Sequence, residues 1–558
     1  MKIKITFFVL FLFQVSFSQN VLSEDKKTEK LIHIWGLLKY CHPEVSRGTF
    51  DFDTEFIKEF EKMERITSQE EFDNELLSWI NKFDLKKSKF KNNENYLKQD
   101  NLFSKNANFG WIENSNFSEP LMKHLNEINT NVSYKDYYAS VNYLSGGINF
   151  KNDKPLVGFD ANNKSHRILF LASFWNKMNY WNVNIYLTKI PWNQVLTAVI
   201  SEFISDDSEK FEVAKEKLFS KLNDSHSDYS YSHTLKELVN FPGFGGRIVN
   251  DSLVVTNIYD EKVSKEDGVS IGDIIFSIEG KSIKEYYDSK FSDVISVSTE
   301  NYLKRAIEKS YLLASVNDSI SVAVLKKNGI VYDMFISLKK LNYYAERYTR
   351  MRPEKTENWK LITNEIGYLN LDYSEEKDLK EAFFQFKNTK GIIIDLRNYP
   401  HHISGSDLAK YLYPKKKVFV KIVAALMPSY GEYDAQSSLK VIKNPFAEGS
   451  NNAAFYKGKI VLLVDRSTAS FAEFLGMMIQ QSPNCFTMGE QTFGAVMNRN
   501  QVPLTDNTKI DFTGAGAFYP NDESVQGKGL RIDYEIKETA KNFNKNLYVE
   551  QAVKLIQN

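Results

Sequence analysis

A serine becomes a nucleophile where backbone N–H groups stand ready to receive an oxyanion, and Ser470 has that setting. Ile460 to Val464 is a short apolar run that reads as a buried strand, ended by Asp465-Arg466-Ser467-Thr468. Phe471, Phe474, Leu475, Met478 and Ile479 then share one face of an amphipathic helix, which Pro483 and Asn484 stop. Ser470 therefore sits where a helix begins, beside unpaired N–H groups and the positive end of the helix dipole. The same residues allow a purely structural reading. Ser470-Phe471-Ala472-Glu473 fits S-x-x-E, a capping box in which the hydroxyl only serves the helix start. A second short strand, Phe486 to Met488, leads into Gly489-Glu490-Gln491-Thr492-Phe493-Gly494.

A serine nucleophile needs a base. An imidazole with its ordinary pKa of about 6.5 is the natural one. His226 lies in Leu222-Asn223-Asp224-Ser225-His226-Ser227, after a helical stretch at 211–222. Read alone, it is a histidine of a polar loop. His42, before Pro43, reads as a packed turn histidine.

The elements that must position these groups follow from pattern. Strand and helix alternate from Gly367 onward, with Gly391-Ile392-Ile393-Ile394-Asp395 a further buried strand, which argues a parallel α/β core. Residues 27–66 and 167–204 share an order of apolar helix, aromatic turn and second helix, read as a degenerate repeat of a helical hairpin. Residues 86–120 are polar and read as linker, and 136–160 as short strands.

Composition bounds the class. At 558 residues the chain holds several domains, since one core rarely exceeds about 250–300 residues. Lys plus Arg and Asp plus Glu both number 71, so no electrostatic footprint for nucleic acid exists. Cys41 and Cys485 are far apart and read as free buried thiols, and no Cys/His spacing suits zinc. Lys2 and Lys4 precede an apolar run from Ile5 to Phe13, and Ser16 and Ser18 supply small residues for cleavage after Ser18. This reads as a signal peptide of an exported protein, periplasmic or released. No other stretch is long and apolar enough to span a bilayer.

Several of these segments, in this order, resemble the tail-specific (C-terminal processing) and tricorn-like serine protease superfamily. Thr468-Ala469-Ser470-Phe471-Ala472-Glu473 and Gly489-Glu490-Gln491-Thr492-Phe493-Gly494 match its active-site segment, and Asp224-Ser225-His226-Ser227 its histidine motif. Gly268-Val269-Ser270-Ile271-Gly272-Asp273, continuing to Gly280, matches its PDZ-like module. Phe512 to Pro520 and Gly529-Leu530-Arg531-Ile532-Asp533 match its closing motifs.

The resemblance implies a multidomain α+β fold. It has a signal peptide (1–18), an N-terminal helical region (19–120) and a mixed region ending in the histidine motif (121–238). A PDZ-like β-rich module (239–342) and an α/β protease core of the ClpP/crotonase-like kind (343–558) follow. It implies a serine endopeptidase with Ser470 as nucleophile and His226 as base, supported by Ser225 and the Phe471 N–H. Gln526 and Glu490 are the candidates to orient the histidine. Gly243-Phe244-Gly245-Gly246 would hold the C-terminus of a polypeptide, and no metal or cofactor is implied.

The sequence departs from the pattern in three places. Tyr399-Pro400-His401-His402 replaces oxyanion-hole glycines, with the His401 N–H a substitute donor. Ala495 stands where the bacterial branch has a lysine base, and Ile532 where proline is usual. The missing glycines and lysine, together with Gln526 in an orienter's place, motivate the alternative of a catalytically degenerate protein that binds peptide in the PDZ-like groove.

Overall fold

The computed structural model describes residues 22–83, 102–103, 109–130, 137–142, 147–205, 207–309, 311–340, 357–425, 433–434, 447–544 and 546–558. The expected signal peptide lies outside them. Among the described residues no helix is long and apolar enough to cross a membrane.

The N-terminal part is helical. Helices α1 (Glu24–Cys41) and α2 (Phe52–Met63) form one hairpin, α3 (Lys164–Trp181) and α4 (Trp192–Ile204) another. Each hairpin turns through a 3-10 segment, Val45–Arg47 or Ile185–Leu187. The Trp35 Nε1–H donates to Phe52 O and the Trp175 Nε1–H to Trp192 O, each across 17 residues. The hairpins are offset by 140 residues, the separation of Glu24 and Lys164, which pair at 2.8 Å. The repeat is thus structural as well as compositional. α1 and α3 bury residues on nearly every side, which makes them the centre of one core that also takes in α5 (Ser208–Ser220).

Two sequence expectations change here. The polar stretch read as linker contains a helical turn, Trp111–Asn114, and a helix starts at its end, Glu119–Thr130. Ile112 and Leu121 are wholly buried, and that anchoring holds polar segments helical. Cys41 is buried, but Cys485 is only half-buried; both thiols are free.

A small antiparallel sheet follows, with strands β1 (Asn240–Pro242), β2 (Phe244–Val249), β3 (Ser252–Ile258), β4 (Ile274–Ile278), β5 (Ser319–Leu325) and β6 (Val331–Lys340). Their spatial order is β1-β6-β5-β4-β3-β2, so β2 is an edge, and helix α6 (Glu300–Ile307) lies against it. Gly272 and Gly280 have φ of +89° and +77°, the left-handed turn positions where a side chain would be strained.

The third body is a sheet of β7 (Trp359–Thr363), β8 (Ile366–Asn370), β9 (Gly391–Asp395), β10 (Lys459–Val464), β11 (Cys485–Gly489) and the short Tyr534–Glu535. Neighbours follow chain order, and every pair but the first is parallel. Both faces are covered, which is why β9 and β10 are continuous apolar runs. Ile392, Ile394, Ile460, Leu462 and Val464 face the layer holding α7 (Glu376–Phe386) and α8 (Phe471–Ile479). Ile393, Val461 and Leu463 face α9 (Leu547–Gln557).

Candidate active site

Ser470 follows the carboxyl end of the central strand β10 and opens α8. Its backbone is at φ +53°, ψ −117°, a region a side chain adopts only at a cost of about 1–3 kcal/mol. Its neighbours enforce the conformation. The wholly buried Thr468 donates its hydroxyl to Leu396 O at 2.9 Å and accepts from the Asp465 N–H at 3.0 Å. The Thr468 carbonyl accepts from the Phe493 N–H at 3.1 Å. Ser470 Oγ makes no capping hydrogen bond, so the capping-box reading does not describe this hydroxyl.

Glu473 does something else. Its wholly buried carboxylate accepts from Thr492 Oγ1 at 2.5 Å, from the Gly494 N–H at 2.7 Å and from the Ala495 N–H at 3.1 Å. It pins residues 492–495 to the start of α8. Burial raises its pKa to about 7, and the hydrogen bonds it accepts work against that rise.

The pinned segment carries the histidine loop. Ser225 Oγ donates to Phe493 O at 3.1 Å, and the Phe493 ring lies 5.6 Å from that of His226. Phe493 is therefore bonded both to the segment before Ser470, through Thr468 O, and to the histidine loop, through Ser225. Among the described residues no hydrogen bond joins Ser470 Oγ to His226.

His226 is 5 % exposed, and its orienting partner is Thr513. Nδ1 lies 3.0 Å from Thr513 Oγ1, which itself donates to Asp224 Oδ1 at 2.7 Å. A carboxylate only accepts, so the threonine proton is committed to Asp224 and Thr513 Oγ1 must accept from His226. That assigns the proton to Nδ1 and leaves Nε2 with a free lone pair. The Asp224 carboxylate also accepts the N–H groups of His226 and Thr513, which locks the two segments together. Burial lowers the His226 pKa from its ordinary value, and the Asp224 charge opposes that.

The two expected orienters fall elsewhere. Gln526 Oε1 accepts from the Val496 N–H at 3.0 Å. Glu490 accepts from Arg466, through Nε at 3.0 Å and Nη2 at 2.9 Å, and from Arg247 at 2.5 Å. Arg466 of the same core and Arg247 of the small sheet hold this carboxylate below its usual range against the effect of burial. Thr513 was missed because it lies 287 residues from His226, with no local signal for its role.

The oxyanion region is also rearranged. The His401 N–H donates to Asp372 O at 3.2 Å, so it does not serve as the substitute donor. The Phe471 N–H instead interacts with the Tyr399 hydroxyl, whose ring lies 6.4 Å from that of Phe471. Ala495 is wholly buried, with its N–H on Glu473. Among the described residues no cluster of three metal-binding side chains occurs.

The Gly243–Gly246 segment is tightly held. Gly243 O accepts from Tyr259 N, Asp260 N and Ser264 Oγ, and a Cβ on Gly246 would meet Val254 O at 2.6 Å. Further along β2, the Ile248 N–H donates to Glu308 at 3.0 Å and its carbonyl accepts from Arg466 at 2.9 Å. That position of the edge strand is already paired.

Residues 365–536, the parallel sheet with its serine, match the family model described as Peptidase family S41. Over those residues the chain carries a domain like that of the tail-specific protease family, and this match with its carboxy-terminal-processing relatives supports a serine peptidase. The chain is 21% identical over 374 residues to a "Carboxy-terminal-processing protease" of Bartonella bacilliformis, covering 64% of this chain and 76% of that one. It is 21% identical over 347 residues to "Carboxy-terminal processing protease CtpB" of Bacillus subtilis, covering 60% and 64%. The structure described as "Crystal Structure of mature CPAF" superposes with a TM-score of 0.53 at 12% identity, covering 69% of this chain and 95% of that one. At that identity the likeness shows the fold alone.

Proposed function

We propose that this chain is an exported endopeptidase in which Ser470 attacks a peptide carbonyl and His226 is the general base. The observation that carries the reading is the Asp224–Thr513–His226 chain, which holds Nδ1–H and leaves the Nε2 lone pair free to take a proton. His226 Nε2 takes the Ser470 Oγ proton as the oxygen bonds to the carbonyl carbon. The imidazolium is then stabilised through Thr513 by the Asp224 charge. The oxyanion displaces the Tyr399 hydroxyl from the Phe471 N–H at the start of α8 and accepts from that N–H, with the freed hydroxyl as second donor. His226 returns the proton to the leaving amine, and a water deprotonated by the same nitrogen hydrolyses the acyl-enzyme.

The sheet of residues 240–340 reads as a PDZ-like module. Its helix α6 touches the site directly: Thr299 Oγ1 donates to Thr492 O at 3.1 Å, and the Tyr302 ring is 4.3 Å from that of Phe493. A polypeptide C-terminus held between β2 and α6 would therefore bear on the segment that Glu473 pins. A purely peptide-binding role is less well supported, because β2 is paired at Ile248 and the Ser470 hydroxyl is left uncapped at strained backbone. Export rests on Lys2, Lys4 and the apolar run to Phe13.

A fluorophosphonate probe tests the reading. The wild-type chain is expected to be labelled and to cleave a polypeptide, and Ser470→Ala to do neither while unfolding at a similar temperature. Equal labelling of Ser470→Ala removes the serine from the mechanism.

A further inference from the structure

The N-terminal hairpins enclose a cavity of about 860 Å³, within the size range of small-molecule sites and remote in sequence from Ser470. Its wall joins α1 to the α3–α4 turn. His33 lies in that wall, sandwiched between Trp111, stacked at 4.9 Å and 18°, and Trp175, edge-on at 4.8 Å. The histidine is 7 % exposed, and neither ring nitrogen hydrogen-bonds to a described residue. An imidazole in a cavity wall offers a hydrogen-bonding group that a ligand can use. Burial pushes its pKa down to about 3, so it is neutral and does not select for an anion.

The other walls share that character. Trp111 is half-buried and opens on the cavity, while Asn114, Asn179 and Asn193 line it with side-chain amides that have no partner among the described residues. Each amide offers a donor and an acceptor side by side. The charged groups are already occupied in part. Glu29 accepts from Thr197 Oγ1 at 3.0 Å, and Lys30 donates to Gln69 at 3.1 Å and lies 4.9 Å from the Phe117 ring centre.

We infer that this cavity is a carbohydrate-binding site, with a pyranose seated against Trp111 and its hydroxyls bonded to His33 and the asparagine amides. Indole faces take the apolar C–H face of a sugar, and adjacent amides and a neutral imidazole match neighbouring hydroxyls. The charged groups of the walls, Lys26, Glu29 and Lys30, are of both signs, and Glu29 and Lys30 are already bonded, so the lining favours a neutral ligand over an ionic one. The site also has a route to the catalytic machinery. Ile185 and Tyr186 line it, and the adjoining Asn184 donates to Thr513 O at 3.2 Å and Ala515 O at 3.1 Å. Thr513 is the partner of His226.

The test is isothermal titration of the full chain with soluble cello- and chito-oligosaccharides. One of the two is expected to bind with micromolar to millimolar affinity, and Trp111→Ala and His33→Phe each to weaken it at least about tenfold. His33→Phe keeps a ring between the tryptophans; Asn179→Ala is the milder variant should either fail to unfold cooperatively. Retention on insoluble chitin or cellulose, released by the free sugar, identifies a matrix polysaccharide as the source. A KM raised by free sugar for a glycosylated but not for a bare polypeptide identifies a substrate glycan. No binding of either sugar at millimolar concentration overturns the proposal. So does binding undiminished in both ring variants, or binding of an unglycosylated peptide at His33 instead.

Discussion

Ser470 holds its hydroxyl clear of the helix start by keeping a backbone that glycine would prefer. Strain of this kind persists only where surroundings over-determine it, and Thr468 and Glu473 do so here. Ser470→Gly is therefore expected to be inactive yet more stable than the wild type, by about 1 kcal/mol in a denaturant titration. A lower midpoint would show that the conformation is not strained. The histidine gives a second pair of expectations. Thr513→Val removes the acceptor for Nδ1–H and should lower kcat on the order of 100-fold with little change in KM. Only the neutral imidazole accepts a proton, and burial lowers the His226 pKa. The acid limb of kcat/KM should thus fall with an apparent pKa below the ordinary 6.5. An acid limb centred above that value would point to another base.

At the scale of elements, α8 organises the site through one carboxyl group. Glu473 lies on its first turn and binds three donors of the segment 492–495. Its folded pKa of about 7 stands above its ordinary 4.5, so the protonated form is favoured in the fold. The stability linked to this group is fully present below the unfolded pKa and is lost as pH rises through about 7. Glu473→Gln should flatten the dependence of the denaturation midpoint on pH across that window, at about 1 kcal/mol for one weakened hydrogen bond. An unchanged slope would assign the linkage to other groups. α6 and its N-cap act on the same segment from outside, through Tyr302 and Thr299, which is how the small sheet comes to bear on the residues that Glu473 pins.

Across the whole molecule, the small sheet and the parallel core are joined by charge. Arg466, two residues beyond the end of β10, pairs with Glu308 at 3.0 Å and Glu490 at 2.9 Å and caps Ile248 O. Arg247 of β2 reaches Glu490 and Glu538 in return. Removing one member of a buried network strands the rest, so Arg466→Ala is expected to destabilise the chain by about 3–5 kcal/mol. Replacing Glu308 together with Arg466 should cost clearly less than the sum of the two single changes; strict additivity would mean the pair is not coupled.

Ser470, its helix, the buried strands and the paired hairpins were all legible in the sequence, because each depends on neighbours within a few residues and on the 3.6- and 2-residue periods. Asp224, Ser225 and His226 were visible as a motif. Their partners were not. Thr513 and Phe493 join them only where a loop from the helical region meets strands nearly 300 residues on, and nothing local distinguishes Thr513 from any other buried threonine. For the same reason Gln526 and Glu490 were plausible orienters by chain order, and packing gave them to Val496 and to two arginines. Local spacing and periodicity were enough to mark the residues that could react and the stretches that would fold. The tertiary structure alone decided which acceptor holds the histidine proton, because hydrogen bonds between distant segments are chosen by how whole elements pack.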